Sequence, residues 1–265
     1  MDGVQTVALA VLQGLTEFLP ISSSAHLVLL PFLFDWPDQG LAFDVAVHVG
    51  SLAAVVTYFW GELRELWVGW WGHVNGGHAS AESRLAWAII VATIPVVTLG
   101  GLFADWIEAS LRDPIPIALA TLVFGLLLWV ADRSGARRRD EHAITWRDVA
   151  IIGVAQALAL IPGTSRSGIT ITAGLWVGLT RTAAARFSFL LSIPVIVLAG
   201  GYNAVRLLSS PVPVLWGLIA VGAVVSGVTA YLCIHWFLKL IDQIGLIPFV
   251  IYRLILAGVL FYIYL

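Results

Sequence analysis

Six apolar stretches decide what this chain can become. Phe43 to Trp60, Leu85 to Ala104, Ile115 to Ala131, Arg186 to Val205, Val214 to Leu238 and Leu246 to Leu265 each approach the roughly 20 residues a helix needs to cross the hydrocarbon of a bilayer. Little in the rest dilutes them: of 265 residues 60% are apolar and 11% charged, and the mean hydropathy is +0.94. Lipid is therefore the solvent for most of the chain, and a soluble globular fold is excluded. The lone cysteine, Cys233, rules out an internal disulfide. The start, Met-Asp-Gly, has no basic n-region, and Gln13, Thr16 and Glu17 interrupt the apolar stretch behind it, so no signal peptide is expected. A formal charge of −2 identifies no partner. Nucleic acid is not expected as one.

Two further apolar segments, Val4 to Phe34 and Val149 to Leu179, are broken midway by proline and hydroxyls: Pro20-Ile-Ser-Ser-Ser and Pro162-Gly-Thr-Ser-Arg-Ser-Gly. Proline removes a helix hydrogen bond, and the hydroxyls compete for backbone groups, so each reads as helix, irregular tip, helix. Irregular backbone survives at membrane depth only inside protein or beside a wet cavity. Both segments are therefore read as re-entrant hairpins. The expected fold is an all-α polytopic membrane protein with six transmembrane helices and two re-entrant helical hairpins.

The hairpins also resemble each other. Gln13-Gly-Leu-Thr and Gln156-Ala-Leu-Ala precede the two prolines, and Ser22-Ser23-Ser24 is aligned with Thr164-Ser165-Arg166, with one residue of slippage. Three spans follow each hairpin, so the two enter from opposite faces, as in an inverted-topology repeat whose broken helices meet near the midplane. One membrane domain, 1–265, is expected, with repeat one at about 1–131, a linker at about 132–147 and repeat two at about 148–265. A second likeness, Ile94-Pro-Val-Val and Ile193-Pro-Val-Ile, stands at another offset and does not support the repeat. Ten basic residues fall on the side of Arg64, Arg84, Arg133, Arg137, Arg138, Arg139, Arg147, Arg181, Arg186 and Lys239; two, Arg112 and Arg206, fall on the other beside Asp35, Asp38, Asp105, Glu108 and Asp113. Positive charge favours the cytoplasm, which places hairpin one and both termini outside.

Polar chemistry is concentrated at the tips. Gln13 and Glu17 share a helix face, and Ser22, Ser23, Ser24 and His26 follow. Ionisable groups at this depth cost about 2.5 kcal/mol or more each, so they face a cavity and a partner. A structural Glu17–His26 pair is the bland alternative. In the second tip Arg166 stands among Gly163, Thr164, Ser165, Ser167, Gly168 and Thr170. A loop of this kind opening a helix offers N–H groups and dipole charge to an anion, and arginine adds a planar fork for phosphate. Its alternative role is to neutralise Glu17 across the bundle, which also brings the hairpins together. Asp44 and His48 could reach the same cavity or satisfy one another. Arg253 needs an anionic or carbonyl partner, more in keeping with structural pairing than substrate contact.

These residues resemble the motifs of the undecaprenyl-diphosphate phosphatases, the bacitracin-resistance family of bacterial inner membranes. The likeness lies in Gln13-Gly-Leu-Thr-Glu17 through Pro20, Ser22, Ser23 and His26, in Pro162 to Thr170, in Ala183 to Pro194 and in Ile247 to Arg253. Gln13 replaces a frequent glutamate, and Asp44 and His48 stand where relatives often carry Glu and Gln. The resemblance implies hydrolysis of a C55 polyprenyl diphosphate to the monophosphate and phosphate, with a divalent cation, Mg2+ or Ca2+, for which Glu17 is the candidate ligand. It implies a multi-pass protein of the bacterial cytoplasmic membrane, with the lipid substrate and membrane lipids as partners; the loop charges set its site open to the outer side, and a homodimer is left open.

The expected division of labour follows from phosphoryl transfer, which needs a positioned nucleophile and fixed positive charge. Ser23 attacks, His26 accepts or relays its proton, Glu17 orients His26 or holds metal, and Arg166 binds phosphate. Gln13, Ser22, Ser24, Gly163, Thr164, Ser165, Ser167, Gly168 and Thr170 are the expected substrate-binding support. Attack by metal-bound water is the other route. The rival class is a transporter or flippase for a lipid phosphate or other anion, for which a midplane site between repeats is usual.

Overall fold

The computed structural model describes residues 2–37, 39–111, 113–208 and 216–264. Asp38 and Arg112, counted in the loop charges above, and Val214 and Leu265, counted in the spans, lie outside the described residues. Regular structure among those described is helical apart from one isolated bridge, Arg139 to Leu179. Among the described residues six helices are long and apolar enough to cross a membrane: α3 (Leu41–Tyr58), α5 (Ala81–Ser110), α6 (Pro114–Ser134), α9 (Arg181–Leu208), α10 (Trp216–Ile244) and α11 (Ile247–Tyr264).

Each broken segment forms two short helices around a non-helical tip. The first is α1 (Gly3–Thr16) and α2 (Ser23–Leu33); the second is α7 (Trp146–Ala157) and α8 (Arg166–Trp176), with a single 3-10 turn at Leu158–Leu160. Their correspondence extends to the caps. Asp2 with Gln5 and Thr145 with Asp148 each form a reciprocal capping box at the start of the hairpin. Gln13 and Gln156 lie the same distance along, and each tip ends on a serine with positive φ, Ser22 at 75° and Ser165 at 69°. The register is thus Ser22 with Ser165, Ser23 with Arg166 and Ser24 with Ser167, one residue from the alignment expected above. Residue letters alone matched hydroxyl to hydroxyl, whereas the backbone matches the turn that restarts the helix.

A further helix, α4 (Trp60–Val74), lies between the first two spans, in a segment to which the sequence reading assigned no element. It follows α3 directly through Phe59 and packs on α5. Trp60, Trp67, Val68 and Trp71 are exposed while Leu66 is buried, the pattern of a helix lying in an interface rather than spanning.

Close backbone contact places α10 against the first hairpin and α3. A Cβ on Gly50 would stand 2.1 Å from the Ala223 carbonyl oxygen, and one on Gly14 would stand 2.6 Å from that of Ser226. Small residues allow this approach, and Ser226 adds a hydrogen bond to the Val47 carbonyl at 2.8 Å. At the basic end, Arg181 holds Asp132 through two bonds of 2.6 and 3.0 Å. Arg186 bridges Glu62, at 2.6 Å, and Glu141, and Arg139 holds Asp148 at 2.8 Å. These pairs tie α4 and α6 to α9, and the segment between α6 and α7 to both α9 and α7, at the end of α9 away from the cavity described next.

Candidate active site

The two tips meet. Arg166, the first residue of α8, donates through Nη2 to Glu17 Oε1 at 2.9 Å. Ser167 donates to the Leu19 carbonyl at 2.8 Å. Arg253, fully buried in α11, binds both turns at once: the Pro20 carbonyl at 3.3 Å, that of Gly163 at 3.0 Å and that of Thr164 at 2.9 Å, with Thr121 and Ala120 of α6 at 3.1 and 3.5 Å. A guanidinium has five donors in a fixed fork, and here they reach five backbone carbonyls. The carbonyl partner foreseen for Arg253 is therefore present, and it fixes one tip relative to the other. Nearby, Gly163 has φ of 90°, and a Cβ there would be 2.4 Å from the Ile117 carbonyl oxygen, so only glycine fits this turn.

Glu17 is the centre of the polar cluster. Its Oε2 accepts from Gln13 Nε2 and from Ser23 Oγ, both at 2.9 Å, and stands 3.7 Å from His48 Nε2. Both Glu17 and Arg166 are nearly buried, with side-chain exposures of 8% and 12%. Arg166 is oriented further by the Ser188 carbonyl at 3.0 Å, and the Ser188 hydroxyl lies 2.7 Å from that of Thr170. Around the cluster lies a cavity of about 680 Å³, lined at its floor by Glu17, Ser22, Ser23, Ser24, Ser165 and Arg166. The N-termini of α2 and α8 both open on it, so the ends of two helix dipoles present positive partial charge to the same space.

Other residues singled out from sequence stand behind this floor. Gln13 is fully buried and touches Glu17 rather than the cavity. Thr164, Ser167, Gly168 and Thr170 are buried behind Ser165 and Arg166, with Gly168 N donating to Ser165 Oγ at 3.1 Å. His26 is not beside Ser23's acceptor. Its Nδ1 lies 2.6 Å from the Ser22 carbonyl, its Nε2 pairs with the Tyr252 hydroxyl, and the two rings stack 5.4 Å apart. Neither the Glu17–His26 pair nor the Ser23–His26 relay considered above is present, because both imidazole nitrogens are engaged elsewhere.

Asp44 and His48, by contrast, both line the cavity. His48 Nδ1 donates to the Asp44 backbone carbonyl at 2.7 Å and not to its carboxylate, which leaves Nε2 turned toward Glu17. Ser188 and Tyr252 lie in the stretches Ala183 to Pro194 and Ile247 to Arg253 that carry the family likeness, but neither was singled out there; their place around Arg166 and His26 gives them a role.

A metal on Glu17 does not fit this donor set. One oxygen faces an arginine, the other has two donors and an imidazole nearby, and among the described residues no three His, Cys, Asp or Glu side chains gather to hold an ion. Divalent cations prefer carboxylates free to coordinate.

Helical spans around a half-buried serine, a buried carboxylate and an arginine at two facing helix N-termini define a multi-pass membrane protein with a polar site suited to an anion. Residues 6–259 match the family described as bacitracin resistance protein BacA. The chain belongs to that family. It is 59% identical over 265 residues to an undecaprenyl-diphosphatase of Thioalkalivibrio sulfidiphilus, covering 100% of both chains. It is 60% identical over 260 residues to an undecaprenyl-diphosphatase of Chromohalobacter salexigens, covering 98% of each. To undecaprenyl-diphosphatase 2 of Stutzerimonas stutzeri it is 56% identical, covering 98% of this chain and 97% of the other.

Proposed function

We propose that this chain is an undecaprenyl-diphosphatase: it hydrolyses the C55 lipid diphosphate to the monophosphate and inorganic phosphate, recycling the carrier for cell-wall synthesis and conferring resistance to bacitracin. The observation that carries the reading is the contact of Ser23, Glu17 and Arg166 at the cavity floor. Ser23 Oγ attacks the terminal phosphorus, and the bond from that phosphorus to the bridging oxygen breaks, releasing polyprenyl monophosphate. Ser23's proton passes to Glu17 Oε2, which its hydroxyl already faces. As Glu17 loses its charge, Arg166 turns its fork to the phosphate oxygens, where the N-termini of α2 and α8 add fixed dipoles. Water then attacks the phosphoserine phosphorus, the bond from Ser23 Oγ to phosphorus breaks as Glu17 returns its proton to Oγ, and inorganic phosphate leaves with both hydrogens of the water. A divalent cation enters this reading as part of the substrate, carried on its diphosphate, and not as a resident of Glu17.

Both tips are re-entrant in this reading, and the two halves form an inverted repeat. The matched caps, glutamines and positive-φ serines support it. The mouth of the cavity lies near Asn203 and Arg206, at the end of α9 away from the paired arginines. Positive charge inside then sets the site open to the outer face of the bacterial cytoplasmic membrane.

The test is phosphate release from C55 diphosphate by purified protein in detergent, with and without chelator. Steady release is expected. Folded protein that binds the lipid but releases no phosphate would return the choice to a transporter.

A further inference from the structure

Two sequence likenesses remain unused by this chemistry: Ile94-Pro-Val-Val on α5 and Ile193-Pro-Val-Ile on α9. They do not correspond in the repeat, yet they are neighbours in space. The two helices pack together, and Val96, Val195 and Ile196 all line the cavity. Up to this level both are core helices. Beyond it both change character together, for Val96 and Ile196, each 6% exposed, are the last buried residues described on α5 and α9.

Just past this level each helix carries a glycine pair, Gly100-Gly101 and Gly200-Gly201. Glycine in a membrane helix usually marks close approach of another backbone, as at Gly14 and Gly50. Here a Cβ on Gly101, Gly200 or Gly201 would meet no atom within 4 Å. The glycines therefore keep space open instead of filling it. Gly200 borders the cavity, whose walls here are Leu160, Ala199 and Ile107, while Leu102, Phe103, Val197 and Leu198 on the same two helices are exposed. The wall of the cavity between α5 and α9 is thus apolar at Val96, Ile107, Leu160, Val195, Ile196, Ala199 and Gly200, with Tyr202, Asn203 and Arg206 lining it farther along α9.

We propose that this crevice between the outer parts of α5 and α9 is the groove for the isoprenoid chain next to the diphosphate. The inference rests on the proposed phosphatase reading. A diphosphate on Ser23 and Arg166 carries its chain by a covalent bond, so the chain must leave the cavity through a wall that matches its chemistry. This stretch of wall is apolar, borders the same cavity as the polar floor and lies short of the polar mouth at Asn203 and Arg206. Pairs of glycines admit branched methyl groups that side chains would exclude.

Gly200→Phe tests this without disturbing packing, since nothing occupies the space the side chain would enter. The readout is the ratio of kcat/KM for C55 diphosphate to that for a C5 prenyl diphosphate, which is too short to follow the groove. The ratio is expected to fall at least about tenfold. Equal losses on both substrates would make the crevice a water-filled vestibule, and an unchanged ratio would remove the chain from it; either overturns the proposal. Wild-type protein inactive on both substrates would sink the phosphatase reading instead. A second measurement does not need turnover: Gly200→Cys labelled by hexyl methanethiosulfonate should be protected by C55 monophosphate and not by inorganic phosphate. Labelling at the same rate under both conditions overturns the groove.

Discussion

Ser23 and Arg166 occupy the same place in two corresponding tips, each the first residue of a helix behind a serine with positive φ. Around them the scaffolds match: reciprocal caps, a glutamine at equal distance, and a pair of serine hydroxyls 3.2 Å apart, Ser22 with Ser24 and Ser165 with Ser167. The side chains then diverge. Tip one holds a hydroxyl and Glu17; tip two holds a guanidinium, with Leu160 at the position matching Glu17. One backbone device, used twice, supplies two facing helix N-termini, and in the proposed reaction the differing side chains divide nucleophile from counter-charge. A symmetric pair of either kind would serve worse, because two arginines have no nucleophile and two carboxylates repel phosphate.

The largest effect belongs to tip one. Ser23→Ala leaves α2 and its dipole in place but removes the attacking oxygen, so kcat should fall about 10⁴-fold or more while binding of C55 monophosphate changes little. Rapid-quench recovery of phosphoserine from wild type, absent in the variant, is the direct check. Near-normal kcat in folded Ser23→Ala protein would give the attack to water and leave Glu17 as its base.

For tip two a smaller loss is expected. Arg166→Lys keeps one positive charge, yet an ammonium cannot hold the Ser188 carbonyl and Glu17 in one planar fork. A fall in kcat/KM of about 10²- to 10³-fold is expected, shared between KM and kcat, as for loss of an oriented donor. If lysine works as well as arginine, tip two contributes charge alone, and the geometric half of the comparison fails.

Why the sequence revealed some of this and not the rest follows from what each signal measures. Apolar length is a local property, so the six spans were legible, and so were the tips, where Pro20 and Pro162 interrupt them. The α4 helix was not, because Glu62, Arg64 and Glu65 lower its hydropathy and an interfacial helix has no length requirement to betray it. Glu17, Ser23 and Arg166 stood out because polar groups at membrane depth need a reason. Their pairing was open; that Glu17 faces Arg166 and Ser23 rather than His26 depends on the turn at Ser22, which residue types do not encode. The two-tip brace formed by Arg253 depends on five carbonyls, and carbonyls are invisible in a sequence because every residue has one.

The smallest predicted effect concerns His26, where the two tips solve the same local problem differently. Ser22 and Ser165 both adopt a backbone that non-glycine residues avoid, and something must hold each turn. In tip two the hydroxyl of Ser165 does this by accepting from Gly168 N. In tip one the imidazole does it: Nδ1–H donates to the Ser22 carbonyl, and Nε2 accepts from the Tyr252 hydroxyl. With both nitrogens engaged, we propose that His26 is a positioning residue for Ser22 and hence for Ser23 rather than the base. His26→Asn retains a donor at nearly the Nδ1 position and should keep activity within about tenfold of wild type, whereas His26→Ala should lose more, since a freed carbonyl and a strained turn cost about 1–3 kcal/mol. Tyr252→Phe removes one hydroxyl but preserves the ring stack, and only a few-fold loss is expected. A proton-relay role predicts the opposite order: asparagine, unable to carry a proton, would be as damaging as alanine. Measured kcat for the three variants, alongside phosphoserine formation in His26→Asn, decides between a brace and a base.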